Sequence, residues 1–146
     1  GVTLGWNVEL RSLQHYVAQH RGRTRRTASA HATSARPLAH LWDRLTGTDG
    51  VIASGYAPGL SEGDACRLTL VTGDIVEGRV TFAAPGRQLV VDATTFGHGL
   101  FRLSLDRAAG EAVVQVWLST WAVDPEQVSA FQDRIRPALA RVVAAA

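Results

Sequence analysis

The apolar positions of this chain change period along its length. Trp6, Leu10, Leu13 and Val17 recur at steps of four, three and four, which predicts an amphipathic helix over residues 6–19. A polar stretch from Arg21 to Thr27 follows, and Thr27 to Thr33 alternates small and polar residues as a short strand would. Leu38, Leu41, Trp42 and Leu45 predict the buried face of a second helix, with Ser34 as its N-cap, Pro37 in its first turn and Gly47 as its stop. Thr48 to Glu62 is rich in Gly, Ser and Pro and reads as a loop with room for a short strand.

From Asp64 to Trp121 the period is two. Ala65 to Val71 places Cys66, Leu68 and Leu70 on one face. Ile75 to Phe82 sends Val76, Val80 and Phe82 inward, and Gln88 to Ala93 follows the Ala84-Pro85-Gly86 turn. Leu100 to Leu105 puts Phe101, Leu103 and Leu105 inward, and Glu111 to Trp121 is the longest strand. Its two parities, Val113-Gln115-Trp117-Ser119-Trp121 and Val114-Val116-Leu118-Thr120, are both rather apolar, so Trp117 and Trp121 are expected to meet the leading helix or a partner, the alternative being that they line the inner face and the other parity faces out. No connection is long enough for a crossover helix, so these five strands form an antiparallel meander. The chain closes with its clearest helix. Asp124 caps it, Pro125 takes the first position, Gln127 completes a capping box, and Val128, Phe131, Ile135, Leu139 and Val142 form the stripe. Pro137 is expected to kink this helix or end it early. The class is α+β: a curved antiparallel sheet wrapped on a long C-terminal helix, with an extra helix in front.

Composition narrows the partners. The 146 residues carry 46% hydrophobic and 19% charged positions, which fits one globular domain and argues against disorder. No apolar run approaches the roughly 20 residues of a membrane span. Cys66 is the single cysteine, which excludes an internal disulfide, and the five histidines show no metal-ligand spacing. All fifteen basic residues are Arg, which points to a GC-rich, bacterial genome. The chain holds no Met, so Gly1 is not expected to be the translation start, and a cytoplasmic location is expected. The net charge of +2 is uneven: Leu10 to Trp42 holds six arginines and no acid, while from Asp43 onward twelve acids face nine arginines. The Arg21–Arg26 cluster is either a solvated linker or a contact for phosphate backbones, and no aromatic interleaves with it.

Several short motifs resemble one superfamily. They are Arg26-Thr-Ala-Ser-Ala-His-Ala-Thr-Ser34 leading to Leu41-Trp42, then Thr72-Gly73-Asp74, Glu77-Gly78-Arg79-Val80 and Ala84-Pro85-Gly86-Arg87-Gln88-Leu89. Leu103-Ser104-Leu105-Asp106 and Gly110-Glu111, running into Val113 to Leu118, complete the set. Over about residues 22–145 the chain resembles the START-like helix-grip (SRPBCC) superfamily, most of all bacterial homologues of the Hsp90 ATPase activator's C-terminal domain. Gly5-Trp6 resembles the opening of that family's C-terminal helix, here placed ahead of the domain. Residues 1–21 are therefore read as a leading amphipathic helix, the end of a preceding truncated repeat being one reading of it, and 22–146 as the helix-grip domain. The orphan stripe is expected to drive self-association as a homodimer, or to pack on a missing repeat.

The resemblance implies an apolar cavity between sheet and terminal helix. Its candidate lining is Leu68, Val80, Phe82, Val91, Phe101, Leu103, Val116, Phe131 and Ile135, and the same residues also suit an ordinary filled core. The expected function is a non-catalytic domain that binds a hydrophobic small molecule, or a co-chaperone-like module, with no cofactor and no metal. The alternatives are a cyclase or dehydratase in the same cavity, with His40, Asp92 and His98 as its weak acid–base candidates, and nucleic-acid binding through Arg21–Arg26. Arg67 and Tyr56 are placed near the cavity mouth. Cys66 shares parity with Leu68 and Leu70 and reads as a structural thiol.

Overall fold

The computed structural model describes residues 9–15 and 24–146. Residues 9–15 are helical (α1). There follow β1 (Arg26–Ser34), α2 (Leu38–Thr46), β2 (Ile52–Ser54), β3 (Ala65–Leu70), β4 (Ile75–Ala84) and β5 (Gln88–Ala93). A 3-10 turn at Thr94–Phe96 leads to β6 (Gly99–Ala108), β7 (Glu111–Thr120) and α3 (Pro125–Ala144). All seven strands join one antiparallel sheet in the order β1-β7-β6-β5-β4-β3-β2. The meander from β3 to β7 is as the period-two reading has it, and β1 closes on the last strand rather than on its chain neighbour.

The sheet is curled, and α3 lies in its concave face. Val128, Phe131, Ile135, Leu139 and Val142 are buried there against Ala28 and Ala30 of β1 and the even positions Val114, Val116 and Leu118 of β7. Each large side chain so buried contributes about 1.5–3 kcal/mol. Small residues on β1 let the helix approach closely. Gln132 Oε1 accepts from the Ser29 N–H at 3.1 Å, and Arg136 Nε donates to the Ser29 carbonyl at 2.9 Å. On the opposite side of the helix, Arg134 grips both oxygens of Asp74 at 3.2 and 2.8 Å, and this pair raises the Arg134 pKa. Asp74 also takes the Thr72 hydroxyl at 2.6 Å, so the predicted Thr72-Gly73-Asp74 turn is what anchors α3 to the β3–β4 hairpin.

Three local expectations are corrected. Ser34 does not cap α2: Pro37 stands at that position with no side-chain bond, and the Ser34 hydroxyl accepts from the Arg36 N–H at 3.1 Å. The residue ends a strand, so its side chain serves the turn. Pro137 does not end α3, which runs on to Ala144, because Ala138, Leu139, Val142 and Val143 beyond it are buried. The α3 cap rests on Asp124 accepting from the Glu126 N–H at 3.0 Å, with no contact from the Gln127 side chain.

The largest correction concerns β4. Val80 pairs with Val91, but Phe82 pairs with Val90, so Thr81 is an extra residue in a β-bulge. One extra residue reverses the parity of everything after it. Phe82 consequently points to the outer face, where it joins Val90, Leu100 and Trp121 in a second apolar cluster. Among the described residues no helix is long and apolar enough to cross a membrane.

Gly78 has no room for a side chain, since a Cβ there would stand 1.8 Å from the Asp92 carbonyl oxygen of β5. Gly73 is open but sits at φ +89°. Gly78→Ala is expected to cost about 2–3 kcal/mol by separating the two strands. Gly73→Ala should cost only about 1 kcal/mol, for backbone conformation alone. Urea denaturation of the two variants checks this, and equal losses would contradict the close approach of β4 to β5.

Candidate functional site

Eight of the nine candidate cavity residues face the concave side. Leu68, Val91, Phe101, Leu103, Val116 and Ile135 are 0% exposed, Phe131 is 1% and Val80 is 2%. A water-sized sphere therefore finds no space against most of them, from outside or from within, and they pack as one continuous core. Phe82 is the exception for the reason given above.

The open space beside that core lies at the end where α2 meets the loops. Trp42 projects from α2 among Leu41 and Leu45, and its Nε1 donates to the Tyr56 hydroxyl at 3.1 Å with the rings edge to face at 6.0 Å. With Ala39, Asp43, Thr46, Pro58, Pro85 and Gly86 they wall a groove of about 410 Å³. The periodicity of α2 makes Trp42 legible as buried. That its indole edge meets Tyr56 depends on a loop whose path no period encodes.

The polar candidates separate. His40 is exposed on α2, away from the others. Asp92 and His98 come together on the outer face, where Asp92 Oδ1 accepts from His98 Nδ1 at 3.0 Å. The turn that achieves this holds Gly97 and His98 in succession in the left-handed region, at φ +58° and +61°. His15 of α1 completes the group: its Nε2 donates to the His98 carbonyl at 2.7 Å, and its Nδ1 lies 3.9 Å from Asp92 Oδ2. None of the three acid–base candidates shares the concave side with the core. Arg67 lies on the same outer side, paired with Glu77 at 3.5 Å. Cys66 is half-buried, and burial pushes its thiol pKa up, opposed by a bond from the Gly78 backbone and helped by Asp64. A thiol held protonated is a poor nucleophile.

The described part of α1 meets its own domain through polar and charged side chains. Glu9 stands 3.7 Å from Arg102, Arg11 pairs with Glu62 at 2.7 Å and lies over the Phe82 ring, and His15 stacks obliquely on Trp121 at 5.8 Å. Leu10 and Leu13 are left 54% and 59% exposed. Trp6 and Val17 lie outside the described residues, as do Arg21 and Arg23 of the basic cluster. Arg25 and Arg26 are exposed. The Arg102 side chain is only 11% exposed, its guanidinium 3.6 Å over the Trp117 ring. Burial pushes its pKa down to about 10, against the pull of Glu9 and with the repulsion of Arg25.

A seven-stranded antiparallel sheet curled round one C-terminal helix is a helix-grip fold. Among solved structures the chain is similar to the Aha1 dimer from Colwellia psychrerythraea, with 12% identity, 81% of this chain and 93% of that one covered, and a TM-score of 0.61. It is also similar to DynU16, a protein of the dynemicin biosynthetic locus, with 17% identity over 79% of this chain and a TM-score of 0.56. It spans 46% of the DynU16 chain. Ara h 8.0201 aligns over 82% of this chain and 95% of its own at 15% identity and a TM-score of 0.50. At such identities the likeness establishes the fold. No protein-family model matches the chain, and no curated protein matches it.

Asp92 holds His98 and faces His15, so Asp92→Asn is expected to loosen α1. The loss of about 1 kcal/mol should speed amide exchange at residues 9–15 roughly fivefold. Hydrogen exchange read by mass spectrometry measures it. Unchanged exchange there would mean that α1 is held by other contacts.

Proposed function

We propose that this chain is a non-catalytic domain that binds a hydrophobic small molecule at the Trp42–Tyr56 groove. The observation that carries the reading is the groove itself. Two aromatic rings and two prolines form its walls with Asp43 among them, its size falls within the roughly 300–1,000 Å³ of small-molecule sites, and its Trp42 belongs to the apolar core. A ligand that penetrates further has to displace the packed residues Phe101, Leu103, Phe131 and Ile135. Residues 22–146 would be the binding unit, with 1–21 as its accessory helix. The half-buried thiol of Cys66 suits a reducing cytoplasm.

The test is a nuclear magnetic resonance titration with 1-aminoanthracene, a neutral hydrophobic probe. The Trp42 indole N–H resonance is expected to shift, and Tyr56→Ala to weaken binding about fivefold or more by removing one wall. A Trp42 resonance that stays in place through the titration overturns the proposal.

The same reading includes self-association through α1. Leu10 and Leu13 are exposed together on one face of the helix, and the similar Aha1 is a dimer. Two copies packing these faces about a two-fold axis would bury both. Sedimentation velocity should show a dimer at high micromolar concentration, and Leu10→Glu combined with Leu13→Glu should return the monomer. A wild-type chain that stays monomeric contradicts it.

A further inference from the structure

The bulge at Thr81 and the polar docking of α1 together create a cleft on the outer face. Its floor is Phe82, Val90 and Leu100, and α1 stands over it with Arg11 and His15 at the rim. Its volume is about 370 Å³. The carboxylates around this floor are already engaged. Glu62 is held by Arg11 at 2.7 Å, and Asp92 by His98 at 3.0 Å with His15 beyond it at 3.9 Å. Arg79 is different. It donates one N–H to the Gly63 carbonyl at 3.1 Å, and no carboxylate of the described residues lies within 4 Å of it. Asp92, its direct neighbour across the β4–β5 pairing, is engaged by the two histidines.

We propose that this cleft binds an amphipathic monocarboxylate, with the carboxylate on Arg79 and the apolar body on Phe82, Val90 and Leu100. A guanidinium presents parallel N–H donors whose spacing fits a carboxylate, and here they stand at the edge of an apolar floor. An uncharged ligand adds no ionic contact to the exposed Arg79, whose bond is to the Gly63 carbonyl. A phosphate dianion would meet Glu62 and Asp92 at the same rim and be repelled more strongly than a single carboxylate. Arg67, one strand away, lacks this role because Glu77 neutralises it. The site lies on the opposite side of the sheet from the Trp42–Tyr56 groove and does not depend on it.

Calorimetric titration of the full chain with octanoate and with 1-octanol tests the assignment. Octanoate is expected to bind about tenfold or more tightly than octanol, the effect of one charge-assisted pair. Arg79→Gln should remove that preference and Arg67→Gln should keep it. Should Arg79→Gln fail to fold, Arg79→Lys retains the charge without the fork and should keep only part of the preference. In a methyl spectrum, octanoate should shift Leu100 and Val90 and leave the Trp42 indole N–H in place. Equal binding of acid and alcohol, a preference that survives Arg79→Gln, or no octanoate binding at millimolar concentration overturns the proposal. Failure of the Trp42 groove would show instead as a still Trp42 resonance with 1-aminoanthracene.

Discussion

The burial of the α3 stripe in the curled sheet is the contact on which everything else rests. A single antiparallel layer of seven strands exposes one whole apolar face unless something covers it. Phe131, Ile135 and Leu139 supply that cover, and they are at most 1% exposed. Because the middle of the helix also satisfies Ser29 on one side through Gln132 and Arg136, and Asp74 on the other through Arg134, its position is fixed across the sheet as well as against it. The groove at α2 follows from this. Leu41 and Leu45 are committed to the same core, which leaves Trp42 at its boundary, reaching outward to Tyr56.

The architecture was largely legible because periods of two and of three to four seldom imitate each other over ten residues. In Glu111 to Thr120 both parities are apolar, yet the one holding Trp117 is expected outward, and the even positions are indeed the buried ones. What was not legible is a change of parity inside a strand. Thr81 looks like any polar residue between Val80 and Phe82. Only its pairing with β5 shows that it is supernumerary and that Phe82 has changed sides. The misplacement of Phe82 is thus an error of register rather than of secondary structure.

The candidate site was legible to a lesser degree. Strand parity already set Asp92 opposite Val91, so its outward position follows from the sequence. Its meeting with His98 does not, because that needs a 3-10 turn and two successive left-handed residues between them. The orientation of α1 was the least accessible. Hydrophobic periodicity marks Leu10 and Leu13 as a stripe seeking a partner, but it does not say that Glu9, Arg11 and His15 meet Arg102, Glu62 and Asp92 on the outer sheet face.

The two bonds to Ser29 bear on how copies of this chain can meet. A bordering strand with free N–H and carbonyl groups is a template on which another chain can add a strand. On β1 the middle of that template is already occupied by Gln132 and Arg136. At the far border β2 offers only three residues, interrupted by a register shift. Growth of the sheet from molecule to molecule, the route to fibrils, is therefore obstructed at both borders, and ordered assembly is left to the faces.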